Sequence, residues 1–184
     1  MRLQAMAVEF PVVQGHPNRR AFEGVLTLVD IASDKSPTGA RGHRVVLTRA
    51  AAEAALPSLL GMAVDFKTGW DGHDAQRKCG IITSAHVVNN ELRVSGYLFA
   101  RDFPEMEREM IAHGNEVLGM SYELADAHVE DMRASVWKLT KATFTGAAIL
   151  LREKAAYRST RFRLTAPMKK EGRMRAAGGG QRWM

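Results

Sequence analysis

Along residues 118–124, Leu-Gly-Met-Ser-Tyr-Glu-Leu, apolar positions alternate with small or polar ones. A strand there puts Leu118, Met120, Tyr122 and Leu124 on one face and Gly119, Ser121 and Glu123 on the other. The same period marks a hairpin. "GIITSAHVV" and "ELRVSGYLF" flank Asn89-Asn90, and in the second run Leu92, Val94, Gly96 and Leu98 alternate with Glu91, Arg93, Ser95 and Tyr97. Looser apolar runs predict strands at 21–33, 44–47 and in "MAVDF", and one or two more over 135–151.

Two segments carry helical signals instead. Thr48 is placed to cap a helix through "RAAAEAAL", with Pro57 disturbing its end. In "DFPEMEREMIAHG", Asp102 and Glu105 form a D-x-x-E start signal, Pro104 falls in the first turn and Gly114 at the stop. "SPTGARG" (36–42) is turn chemistry, and 67–78 is a polar, glycine-bearing loop. Many short strands with few helices predict an α+β fold: a β-rich small barrel or closed sheet with two or three peripheral helices.

Charge divides the chain. Of its 184 residues, 26 are Lys or Arg and 20 are acidic, but residues 152–184 hold 10 bases against 2 acids. The expected organisation is an irregular leader (1–19), a β-barrel domain (20–151) and a basic, disordered tail (152–184). Such a tail suits nucleic acid or an acidic protein surface, or simply adds solubility. A single cysteine, Cys79, excludes an internal disulfide and fits a reducing compartment. The start lacks the apolar run of a signal peptide, and no stretch is long and apolar enough to span a bilayer, so a soluble intracellular protein without membrane partners is expected.

The candidate chemistry is sparse. There is no G-x-S-x-G elbow, no phosphate-cradling loop and no dinucleotide fingerprint, and Trp70, Trp137 and Trp183 form no stacking stripe. No cofactor is implied. Ser121 is either a small polar strand residue or a nucleophile. His73 lies in "DGHDAQRKCGI" between Asp71 and Asp74, in a loop leading straight into the hairpin, where it is either solvated or a general base. Asp71, His73 and Asp74 match no standard zinc spacing, and no metal is expected. His113 sits in the last helical turn, where a cation suits the helix dipole. His86 alternates along a strand and reads as solvent-facing, and His16, in the irregular leader, is a weaker base candidate than His73.

The order of these parts resembles the prohead (capsid maturation) serine proteases of tailed bacteriophages, which are similar in fold to the herpesvirus assemblins. The series is "FEGVLTLVD", a helix with "LPSLLGMAVDF", "DGHD", the "GIITSAHVVNNELRVSGYLF" hairpin, a helix into "GNEVLGMSYEL", and "KLTKATFTGAAIL", covering about residues 20–151. The resemblance implies that His73 is the base and that Ser121, in Gly119-Met120-Ser121, is the nucleophile. It implies scaffold and major capsid proteins as substrates, self-cleavage and self-association, and action inside immature capsids in the host cytoplasm (or the bacterial cytoplasm for a prophage).

The chain departs from the family at the third member, which is usually an acid or a histidine on a later strand. "TKATFT" offers Lys141 and Thr143 instead, and no acid occurs between Asp131 and Glu153. Asp71, Asp74 or a backbone carbonyl could orient His73, or Lys141 could take part as in serine–lysine enzymes. The oxyanion would fall to backbone N–H groups, with Arg77 or Lys78 as basic helpers and Gly119 keeping the approach open. Two rivals stand beside the protease: a catalytically silent assembly protein on the same fold, and a nucleic-acid-associated protein acting through its tail.

Overall fold

The computed structural model describes residues 6–8, 15–114 and 117–165. Nine strands are described: β1 (Met6–Ala7), β2 (Arg20–Leu28), β3 (Arg44–Leu47), β4 (Ala63–Phe66), β5 (Lys78–Val88), β6 (Glu91–Leu98), β7 (Leu118–Val129), β8 (Val136–Leu151) and β9 (Arg161–Leu164). Two α-helices, α1 (Arg49–Ala55) and α2 (Pro104–His113), and a 3-10 turn at Leu56–Leu59 accompany them. The α+β class with few helices is as expected. Among the described residues no helix is long and apolar enough to cross a membrane.

The local signals act largely as read. Thr48 caps α1, its hydroxyl accepting from the Ala51 N–H at 3.2 Å. Asn89 takes a positive φ of 52° at the β5–β6 turn. The Asp102 cap is not formed. Phe103 occupies the cap position of α2 without a side-chain bond, and Asp102 instead accepts from the Asn18 amide at 2.9 Å. The last strand is one element, β8, rather than two.

β8 is the spine of the sheet. One edge pairs with β7 from Leu151 back to Leu139. The other pairs in parallel with β3 near its start and with β4 near its end. The path then continues β4-β5-β6-β2-β9, and β1 adds to β5. It does not return on itself, so the expected closed barrel is an open, rolled sheet. Closure is by side chains: β7 lies across β2 and β9, and Met120 fills the space where a Cβ on Gly24 would sit. Leu118 and Met120 are fully buried, and Tyr122 and Leu124 pack partly buried against the same core.

The domain does not stop at Leu151. Residues 152–165 were expected to be tail, but Tyr157, Thr160 and Phe162 are buried and β9 pairs with β2. The Phe162 ring lies 5.2 Å from Phe22, centroid to centroid. Two of the bases that made this stretch look tail-like are matched by acids on the sheet: Arg161 pairs with Glu91 at 2.6 Å, and Arg163 pairs with Glu23. An apolar residue every few positions among paired charges is an edge strand, not a solvated tail. Most of the leader and residues 166–184, with Trp183, lie outside the described residues.

If β9 belongs to the core, Phe162→Ala should lower unfolding stability by about 3–5 kcal/mol. Chemical denaturation measures this directly, and an unchanged midpoint would return the segment to the tail.

Candidate active site

A lone carboxylate in an apolar strand organises the site. Asp65 on β4 is 1% exposed, between Val64 and Phe66. A charge there must find donors. It has two, the Lys78 ammonium at 2.7 Å and the Asp74 backbone N–H at 3.2 Å, and His73 Nδ1 stands 3.5 Å away. Lys78 starts β5 directly opposite Asp65 in the antiparallel pairing, which is why the two meet. Burial alone would raise the Asp65 pKa. The contacts with His73, Lys78 and the Asp74 N–H outweigh it and hold the carboxyl below its ordinary value.

His73 is mostly covered, its side chain 19% exposed. Both ring nitrogens are out of solvent and neither has a hydrogen-bond partner among the described residues. Nδ1 faces two carboxylates, Asp65 and, at 3.9 Å, Glu123. Nε2 is a buried polar atom with no partner among the described residues, beside the cleft, and such a group calls for an explanation.

His73 and Ser121 line one cleft of about 900 Å³. The 35–41 loop forms one wall, and Tyr122, Glu123 and Leu124 of β7 continue from Ser121. A more apolar end is made by Val129, Met132, Trp137 and Leu139. Ser121 and Glu123 share a strand face, and Glu123 leans over Gly146, where a Cβ would meet its carboxylate oxygen at 2.5 Å. No hydrogen bond joins Ser121 to Nε2 in this structure.

The remaining candidates fall elsewhere. Asp71 lines the cleft but is paired with Lys67 at 3.1 Å. Asp74 reaches Asp65 through its backbone, while its carboxylate accepts from the Gln76 N–H at 3.0 Å. Arg77 is engaged with Glu105 at 2.7 Å and lies over the Phe66 ring. Lys78 is engaged with Asp65. Gly119 is buried off the cleft, and a Cβ there would meet Thr160 Oγ1 at 2.5 Å, so packing accounts for it. Lys141 is exposed and pairs with His128, whereas Ser121 pairs with Ala148. That separation along β8 is roughly 23 Å. Thr143 pairs with Ala125, also away from the serine.

Asp65 and Glu123 are the residues that sequence reasoning missed. The signal for Asp65 was present: one acid in an otherwise apolar short strand just before the histidine loop. Cys79 offers no competing nucleophile. It is buried, its thiol donates to the Val64 carbonyl at 3.4 Å, and burial, with Asp65 nearby, pushes its pKa up to about 12.

No protein-family model and no curated protein matches this chain. Among solved structures it is similar to the protease of the herpesvirus KSHV, determined with a hexapeptide phosphonate inhibitor. The TM-score is 0.45 at 10% sequence identity, over 80% of this chain and 65% of that one. The chain thus spans slightly less than two thirds of that protease's length.

Because the folded pKa of Asp65 is depressed, its contribution to stability is present above the ordinary value of 3.8 and is lost as pH falls below it. Asp65→Asn should cost about 1–3 kcal/mol at neutral pH, leaving Lys78 without its counter-charge. The gap to wild type should narrow below about pH 4. Urea melts at several pH values test this, and a constant gap would show that Asp65 is not the titrating group.

Proposed function

We propose that this chain is a serine endopeptidase that processes scaffold and major capsid proteins during phage prohead maturation. The observation that carries the chemistry is the open, buried Nε2 of His73, in a cleft shared with Ser121 and backed by the buried Asp65. The ordered series of sequence segments that resembles the prohead proteases supplies the substrate class.

In this reading Ser121 Oγ attacks the scissile carbonyl carbon while His73 Nε2 takes the hydroxyl proton. The Ser121–His73 hydrogen bond closes when substrate fills the cleft, as catalytic contacts often tighten only then. The imidazolium is stabilised by Asp65 and Glu123 on its Nδ1 side. It returns the proton to the leaving amine as the C–N bond breaks. Water, deprotonated by His73, then hydrolyses the acyl-enzyme, and Ser121 regains its proton. Asp65 replaces the late acid that the sequence lacks. Arg77 and Lys78 are engaged elsewhere, so the oxyanion is left to backbone N–H groups near Ser121.

A specific observation favours the silent assembly protein as second reading: serine and histidine are not hydrogen-bonded. The nucleic-acid reading keeps only part of its charge, since Arg161 and Arg163 are neutralised on the sheet.

The test is cleavage of co-expressed scaffold or capsid protein, together with labelling by a fluorophosphonate probe. Ser121→Ala and His73→Ala should each reduce cleavage by at least about 10⁴-fold, and the double variant should be little worse. A wild-type chain that neither cleaves nor labels would leave the silent reading. Lys141→Met, far from the cleft, should leave the cleavage rate within about twofold of wild type. A loss of the size of a removed transition-state donor, roughly 10²-fold, would put Lys141 in the site.

A further inference from the structure

The His73 ring has no hydrogen bond of its own to fix its direction. Beyond the charge contacts of Nδ1 with Asp65 and Glu123, its aim comes from the backbone that carries it. The short arch 70–74 is held at both ends. At the far end the Asp74 N–H donates to Asp65. At the near end stands Trp70, whose backbone is unusual: φ is +55°, a conformation that bulky residues avoid unless their surroundings dictate it.

Those surroundings converge from several elements. The Trp70 N–H donates to the Lys67 carbonyl at 2.8 Å, closing a turn whose third position is Gly69 at φ +85°. Its carbonyl accepts from the Leu151 N–H, at the end of β8, at 2.8 Å. The ring is 2% exposed and lies 5.2 Å from Phe66 of β4. The indole N–H donates to Glu109 Oε2 of α2 at 2.7 Å. A left-handed tryptophan three residues before the histidine, tied to β4, β8 and α2, is more than core filling needs.

We infer that Trp70 and Glu109 form a pin that sets the direction of the His73 imidazole: Trp70 is a positioning residue, and α2 acts on the site through the Glu109 carboxylate. This rests on the protease reading for its catalytic meaning, but not for its structural content. Glu109 is exposed, so it can be changed without opening the core. Glu109→Gln keeps an acceptor for the indole N–H; Glu109→Met keeps the length and removes the acceptor.

Two readouts separate the questions. One is the His73 Cε1–H resonance, assigned with His73→Gln. The other is the rate of Ser121 labelling by a fluorophosphonate. Glu109→Met should shift the resonance and slow labelling about tenfold, and Glu109→Gln should restore both. Trp70→Phe should match Glu109→Met, and the double variant should be no worse than either single one, because both remove the same bond. The inference is overturned if Glu109→Met leaves the His73 resonance and the labelling rate at wild-type values, or if Glu109→Gln fails to restore them. If wild type itself does not label, the protease reading fails, and the His73 resonance alone decides whether the pin exists.

Discussion

A negative charge buried in the middle of an apolar strand constrains everything near it. Asp65 cannot be left bare, and each group that satisfies it fixes a different piece of the chain. Lys78 locks the first residue of β5 across from β4. The Asp74 amide pins the end of the polar loop. His73 is drawn in with its Nδ1 toward the carboxylate, which leaves Nε2 directed away from it. A structural necessity, matching a buried ion, thus also turns one edge of the imidazole toward the carboxylate. Stability and the candidate chemistry rest on one group.

The serine reaches the same place by a different route. Ser121 and His73 are 48 positions apart, on elements that do not pair with each other. β8 joins them: its final residues bond to β4, which carries Asp65, on one edge and to β7, which carries Ser121, on the other. Ala148 lies between Asp65 and Ser121 in the pairing, its small side chain fully buried. Asp65, Ser121 and the histidine loop are therefore referenced to three neighbouring strands, and the 35–41 loop completes the cleft wall.

How far the sequence disclosed this depended on range. Period-two alternation located the β5–β6 hairpin and β7, because a half-buried strand must alternate. Thr48 declared its cap for an equally local reason. Asp102 misled because a cap signal competes with any nearby partner, and Asn18 won. β9 was hidden because Arg161 and Arg163 look like a solvated tail until Glu91 and Glu23 are placed beside them. His73 and Ser121 were legible as candidates. The resemblance pointed to a later strand for the third member and the loop offered Asp71 and Asp74, while the buried acid lay just upstream on β4. No local pattern states that Lys141 sits far down β8; only the register does.

β8 also fixes when the domain can exist. β3 and β4 are parallel to it and do not pair with each other, and β7 has its ladder on it alone. Until β8 has left the ribosome, β3 and β7 have no ladder and β4 has only β5, and closing such long loops is slow. A nascent chain can form its β5–β6 hairpin early, but Ser121 and His73 stay apart until β8 has been made. The cleft shared by the two side chains is in this way absent while the chain is being made. Truncated translation products ending before β8 would lack the cleft for the same reason.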